Sequence, residues 1–188
     1  MKRVGLFGGT FDPPHYGHLL MAEQAHQQLN LDEVWFIPSY LPPHKSEAKT
    51  TAEDRVEMTK AAIEDNPAFK VNTIEVEREG KSYTLKTIQA LKAQYPDYQF
   101  YFIIGGDMVE YLPKWHQIDQ LIQLITFIGV DRPGSSTKHV VYPVEMIEMP
   151  SLDISSTMIR ERISAGQSIK YLTPKEVITI INKNSLYS

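Results

Sequence analysis

The chain reads as an α/β protein built on a doubly wound, mostly parallel sheet with a small helical C-terminal part. Three observations carry that reading. Short apolar runs alternate with segments of helical spacing almost from end to end, and parallel neighbours need helical crossovers between them. Two of the runs end in paired glycines, Gly8-Gly9 and Gly105-Gly106. No repeat, low-complexity tract or linker divides the 188 residues, so residues 1–188 read as one domain.

The elements follow in order. Lys2–Phe7 is a short apolar strand bounded by Gly8-Gly9. Between Gly17 and Leu29, the residues Leu19, Ala22, Ala25, His26 and Leu29 keep helical spacing. Glu33–Ile37 reads as a second strand stopped by Pro38, and Leu41 to Thr50 as a polar loop. Thr51 offers an N-cap with Asp54 three residues on, close to a capping box; Val56, Thr59, Ala62 and Ile63 supply that helix's apolar side. Val71–Val76 is a third strand. Leu85, Ile88 and Leu91 mark the next helix, which ends near Pro96, and Gln99–Ile104 forms a fourth strand. Leu121–Leu124 closes another helix before a fifth strand, Thr126–Val130, and Val144–Met149 is the sixth. Ser155–Ile163 and Pro174–Asn182 read as helices, the second with Thr173, Pro174 and Glu176 as N-cap, N1 and N3.

Composition narrows the class. With 42% hydrophobic and 22% charged residues the chain has the make-up of an ordinary soluble protein. A net charge of −4 counts against broad nucleic-acid binding, which needs a basic surface. The absence of cysteine excludes disulfides and thiolate metal sites and suits a reducing cytoplasm. Met1-Lys2-Arg3-Val4 runs straight into the first strand, without the apolar core of a signal peptide. No apolar stretch reaches the length of a membrane span. A cytoplasmic protein without membrane or nucleic-acid partners is expected, and assembly into a homo-oligomer is left open.

The most informative stretch runs from Gly8 to His18: Gly-Gly-Thr-Phe-Asp-Pro-Pro-His-Tyr-Gly-His. Small residues at a strand's carboxyl end let a phosphate approach backbone N–H groups. His15 and His18 can both address that phosphate from the mouth of the next helix. In doubly wound sheets ligands sit beyond the strands' carboxyl ends where the winding reverses. If the first and fourth strands are neighbours there, both glycine pairs border one crevice.

At these residues the chain resembles the H-x-G-H nucleotidyltransferases. His15-Tyr16-Gly17-His18 matches their first motif, and Ile154-Ser155-Ser156-Thr157-Met158-Ile159-Arg160 matches the second, I-S-S-T-x-I-R. With Gly8 to Pro14, Pro42-Pro43-His44-Lys45, Ser82-Tyr83-Thr84 and Gly105-Gly106-Asp107 also in place, nearly the whole chain is similar to the bacterial nicotinate-mononucleotide adenylyltransferases. The resemblance implies a Rossmann-like nucleotidyltransferase fold. It also implies adenylyl transfer from ATP to nicotinate mononucleotide, releasing pyrophosphate.

Adenylyl transfer asks the protein mainly to position two reactants and offset negative charge. On this reading His15 and His18 donate hydrogen bonds to phosphate oxygens, aided by a helix N-terminus worth roughly 0.3–1 kcal/mol. Gly8, Gly9 and Thr10 border the ATP phosphates, and Phe11 is loop scaffolding whose backbone borders the ligand. Ser155, Ser156 and Thr157 either cap their helix or, with Arg160 four residues past Ser156, hold the β- and γ-phosphates. Lys45 in its Pro-stiffened loop is a further phosphate contact. Gly105 borders the crevice, and Asp107 accepts ribose hydroxyls or caps the helix after it. Arg132 is one more phosphate candidate.

Trp115 with Tyr111 offers aromatic surface for a pyridine ring, and Thr84 with backbone N–H groups receives a carboxylate. His26, His116 and His139 show no metal-ligand pattern, so Mg2+ is expected to arrive with ATP, held by phosphates and water. Three rivals remain to be weighed. A sibling enzyme would use nicotinamide mononucleotide, phosphopantetheine or, with CTP, an alcohol phosphate. A nucleotide sensor would keep the fold without turnover. A fragment of a class I aminoacyl-tRNA synthetase is disfavoured by size, acidity and the lack of a tRNA-binding extension.

Overall fold

Side chains along the central strands alternate between two separate cores, one on each face of a single sheet. The computed structural model describes residues 1–42, 48–131 and 141–188. Its strands are β1 (Lys2–Gly9), β2 (Glu33–Pro38), β3 (Phe69–Val71), β4 (Tyr98–Gly105), β5 (Thr126–Asp131) and β6 (Val144–Glu148). They lie in the order β3-β2-β1-β4-β5-β6, and every neighbouring pair is parallel. The helices are α1 (Tyr16–Gln28), α2 (Ala52–Ala62), α3 (Ile74–Arg78), α4 (Thr84–Gln94), α5 (Gly106–Val109), α6 (Ile118–Leu124), α7 (Ser156–Ser164) and α8 (Lys175–Lys183).

One face collects Val34, Phe36, Tyr101 and Ile103 against Ala22 and Ala25 of α1, Met58 of α2, Ile159 of α7 and Val177 of α8. The other collects Val4, Leu6, Trp35, Phe100 and Phe102 against Leu85 and Ile88 of α4 and Leu121 of α6. A sheet covered on both faces needs strands that are apolar at every position, which is why these segments read as runs. Each fully buried Leu, Ile or Phe contributes about 1.5–3 kcal/mol as an upper bound. The C-terminal helices belong to the first core: α8 packs on α2.

Two local expectations are corrected. The third strand is Phe69–Val71, not Val71–Val76, because Asn72 ends it: the Asn72 N–H donates to Phe36 O at 2.8 Å. The Asn72 side-chain oxygen then accepts from Ile74 N–H at 3.0 Å and turns the chain into α3. Thr173 does not cap α8. Its hydroxyl donates to the Pro14 carbonyl at 2.7 Å, and Pro174 takes the N-cap position without a side-chain cap bond.

Candidate active site

The winding reverses at β1, which has β2 on one side and β4 on the other. The carboxyl ends of β1 and β4 open a cleft there, bordered by Phe7, Gly8, Gly9, Thr10 and Gly105. Gly106 instead starts α5 against Asp131, where a Cβ would come 2.7 Å from the carboxylate oxygen Oδ1. The cleft has two compartments, of about 580 Å³ and about 200 Å³, on either side of that glycine border.

The larger compartment is lined by His15, His18, Asp107, Ser155, Ser156, Thr157 and Arg160 among others. His15 is the N-cap of α1: its Nδ1 accepts from Gly17 N–H at 3.1 Å. His18 answers it, its Nδ1 accepting from His15 N–H at 3.1 Å. Both bonds leave a neutral ring's proton on Nε2, so each imidazole is set as an Nε2–H donor. Burial lowers the His15 pKa to about 4, which keeps that ring neutral at physiological pH. Gly17 makes room for it, because a Cβ there would lie 2.9 Å from His15 Cε1 and Nδ1.

The segment before His15 is pinned from across the molecule. Phe11 has φ 52° and a buried ring packed on Phe7, Phe36 and His18. Arg55 of α2, 1% exposed, donates to Thr10 O at 2.8 Å and to Tyr40 O at 3.3 Å. Ser156 Oγ donates to Pro13 O at 2.8 Å, and Arg160 Nη1 to Asp12 O at 2.8 Å. Arg160 Nη2 also reaches Thr157 Oγ1 at 3.1 Å. The second motif is therefore tied to the first through backbone carbonyls while it lines the cleft. Ser155 is a true cap, accepting from Met158 N–H at 3.1 Å.

The smaller compartment is more apolar. Trp115 lines it, held edge-on by Phe102 and Phe127 with ring centroids 5.8 Å away in each case. Two donors buried among its lining residues, Trp115 Nε1 and Ser39 Oγ, have no hydrogen-bond partner among the described residues. Leaving a buried donor unpaired costs about 1–3 kcal/mol. Thr84 opens α4 beside them, and that helix starts without a side-chain cap. Glu75 also lines the compartment; burial raises its pKa, and Thr87 Oγ1 donates to it at 2.7 Å.

Known proteins share this fold and much of this sequence. A Plasmodium falciparum nicotinic acid mononucleotide adenylyltransferase, solved in complex with NaAD, superposes with a TM-score of 0.85. It is 23% identical, and the match covers 100% of this chain and 98% of that one. The Cytidylyltransferase-like family model matches residues 6–162. The nicotinate-nucleotide adenylyltransferase of Bacillus subtilis is 52% identical over 188 residues, covering 100% of this chain and 99% of the relative. A probable nicotinate-nucleotide adenylyltransferase of Oceanobacillus iheyensis is 52% identical over 187 residues, with 100% and 97% coverage. The chain belongs to the nicotinate-nucleotide adenylyltransferase family.

In this member of the family, most residues singled out from sequence come together at the cleft, and some do not. Tyr111 lines neither compartment; it is 52% exposed, with Lys114 Nζ 5.0 Å from its ring centroid. Asp107 stands exposed in the first turn of α5, at the edge of the larger compartment. Lys45, Arg132 and His139 lie outside the described residues. Sequence reasoning missed Arg55, Ser39, Glu75, Tyr83 and His116. Arg55 carried one signal, a charged residue at a position facing the α2 core. Glu75 lay inside the segment read as a strand, and Ser39 sits in a segment without periodicity; Tyr83 and His116 meet only through folding, their rings 4.6 Å apart. No helix among the described residues is long and apolar enough to cross a membrane.

Proposed function

We propose that the protein transfers the adenylyl group of ATP to nicotinate mononucleotide, giving nicotinate adenine dinucleotide and pyrophosphate, a step of NAD biosynthesis. A phosphate oxygen of the mononucleotide attacks the α-phosphorus of ATP, the new P–O bond forms, and the bond to pyrophosphate breaks. The observation that carries the reading is the reciprocal pair at the start of α1, where His15 and His18 each spend Nδ1 on a backbone N–H. Their Nε2–H groups then serve the phosphate oxygens on which charge builds, at a helix N-terminus that adds its own positive field.

Arg160 and the hydroxyls of Ser155, Ser156 and Thr157 hold the outgoing phosphates. Gly8, Gly9, Thr10 and Gly105 let the nucleotide lie close to the backbone, with Asp107 toward the ribose. Mg2+ enters as part of the ATP substrate, bound by phosphate oxygens and water. The smaller compartment takes the pyridine nucleotide. Trp115 supplies the ring surface, and Thr84 with the first N–H groups of α4 receives the carboxylate. The unpaired Trp115 Nε1 and Ser39 Oγ support an oxygen-rich ligand at this place. The reaction belongs in the cytoplasm, and neither a nucleic acid nor a membrane takes part.

Pyrophosphate release with ATP and magnesium, measured in parallel with nicotinate mononucleotide, its amide and phosphopantetheine, tests the proposal. Preference for the acid is expected. Activity with phosphopantetheine alone would overturn the pyridine compartment, and ATP binding without any turnover would make the protein a sensor. His18→Ala should lower kcat by about 10²–10³-fold, as loss of one oxyanion donor does, while ATP still binds.

A further inference from the structure

Tyr187 lies far from the histidines in sequence, yet its hydroxyl ends on the loop that leads to them. It donates to Asp12 Oδ1 at 2.6 Å. The same oxygen accepts from Thr50 Oγ1 at 2.7 Å, and Asp12 Oδ2 accepts from Lys49 N–H at 2.6 Å. Asp12 is only 4% exposed, so these donors, with Arg160 on its carbonyl, account for how a carboxylate is held here. Asp12, Ala48 and Lys49 all border the larger compartment.

We propose that Tyr187 is a positioning residue for ATP, holding the Asp12 carboxylate so that the Ala48–Thr50 segment stays against the phosphate side of the cleft. This rests on the adenylyltransferase reading given above. The segment that brings Tyr187 there is itself fastened: Asn184 Nδ2 donates to Asp54 Oδ1 of α2 at 3.1 Å, and Leu186 N–H to Ile181 O at 2.9 Å. Ser185 and Tyr187 both take left-handed backbone angles, φ 49° and 66°. Bulky residues rarely adopt that region, and it persists where surrounding contacts over-determine it. Burial first, and then the bond to Asp12, raise the Tyr187 pKa, so the phenol remains a donor throughout the working range. Thr50 and Tyr187 share one acceptor oxygen, so the C-terminal segment and the entry to α2 are coupled through a single carboxylate.

Tyr187→Phe removes the donor and keeps the ring. With nicotinate mononucleotide as acceptor, kcat/KM for ATP should fall about tenfold, the worth of one hydrogen bond to a carboxylate, with the mononucleotide KM within about twofold of wild type. A purely structural role would lower Tm and touch both substrates alike, and either that pattern or unchanged kinetics would overturn the proposal. Thr50→Val, which removes the other donor to Oδ1, should give the same split, and the double variant should lose less than the two single losses combined. Calorimetric titration with MgATP reads the affinity without turnover. An inactive wild type would therefore overturn the transfer reading, while the ATP affinities of the two forms still decide the role of Tyr187.

Discussion

The imidazole rings of His15 and His18 lie stacked, with centroids 3.7 Å apart and planes 27° from parallel. At that separation two imidazolium charges would repel, and each ring already accepts a backbone N–H at Nδ1. Burial assigns the neutral form to His15. The stack therefore offers two N–H donors at modest charge, suited to phosphate oxygens whose negative charge increases only as the reaction proceeds.

The depressed His15 value has a stability consequence. An unfolded chain takes up a proton as pH falls through the ordinary value of 6.5, whereas the folded chain refuses it until about pH 4. The contribution is complete above pH 6.5 and is lost between there and pH 4, of order 3 kcal/mol in full. Thermal melts from pH 7 to pH 4 should show His15→Asn, which keeps an N-cap acceptor, losing less Tm than wild type over this window. Parallel curves would place the titration elsewhere.

Gly17→Ala tests the space above the helix. The added Cβ would stand 2.9 Å from the His15 ring, while alanine is otherwise the better helix former. We expect kcat about 10²-fold lower with far-ultraviolet circular dichroism unchanged. Full activity would mean that the ring can shift without cost.

Trp115→Phe separates ring surface from donor. The edge contacts to Phe102 and Phe127 can persist, but the buried Nε1–H is gone. The KM for nicotinate mononucleotide should rise about tenfold and that for ATP stay level. Equal changes in both would remove the indole N–H from the smaller compartment's chemistry.

Arg55→Met should be costly to the fold. It strips the Thr10 and Tyr40 carbonyls of a charged donor in a site that admits almost no water. A loss of about 3 kcal/mol is expected, lowering Tm by about 10 °C in differential scanning calorimetry. A shift under about 2 °C would show that water replaces the guanidinium there.

The parallel sheet was legible because central strands buried on both faces are apolar throughout, as in Val4–Phe7 and Phe100–Ile104. The switch-point cleft was legible only on the condition that the strands ending at Gly8-Gly9 and Gly105 are neighbours, which the β1–β4 pairing meets. Val71–Val76 was misread because Ile74 and Val76 alternate like a strand, while the deciding event is one side-chain bond from Asn72. Thr173 looked like a cap because local pattern cannot reveal a partner at Pro14, 159 residues away. The partners of Asp12 at 49, 50 and 187 leave no shared local signature. Short-range pattern reports on elements, and the fastening of the site is long-range.

That fastening bears on when the protein becomes competent. The stretch from Thr10 to Pro14 is secured by residues 55, 156, 160, 173 and, through Asp12, 187. A chain emerging from the ribosome can pair β1, β2 and β4 long before those last contacts exist. The Thr10–Pro14 stretch thus waits for contacts from residues far along the chain, and turnover recovered after denaturation measures the docking of the Tyr187 segment rather than assembly of the sheet.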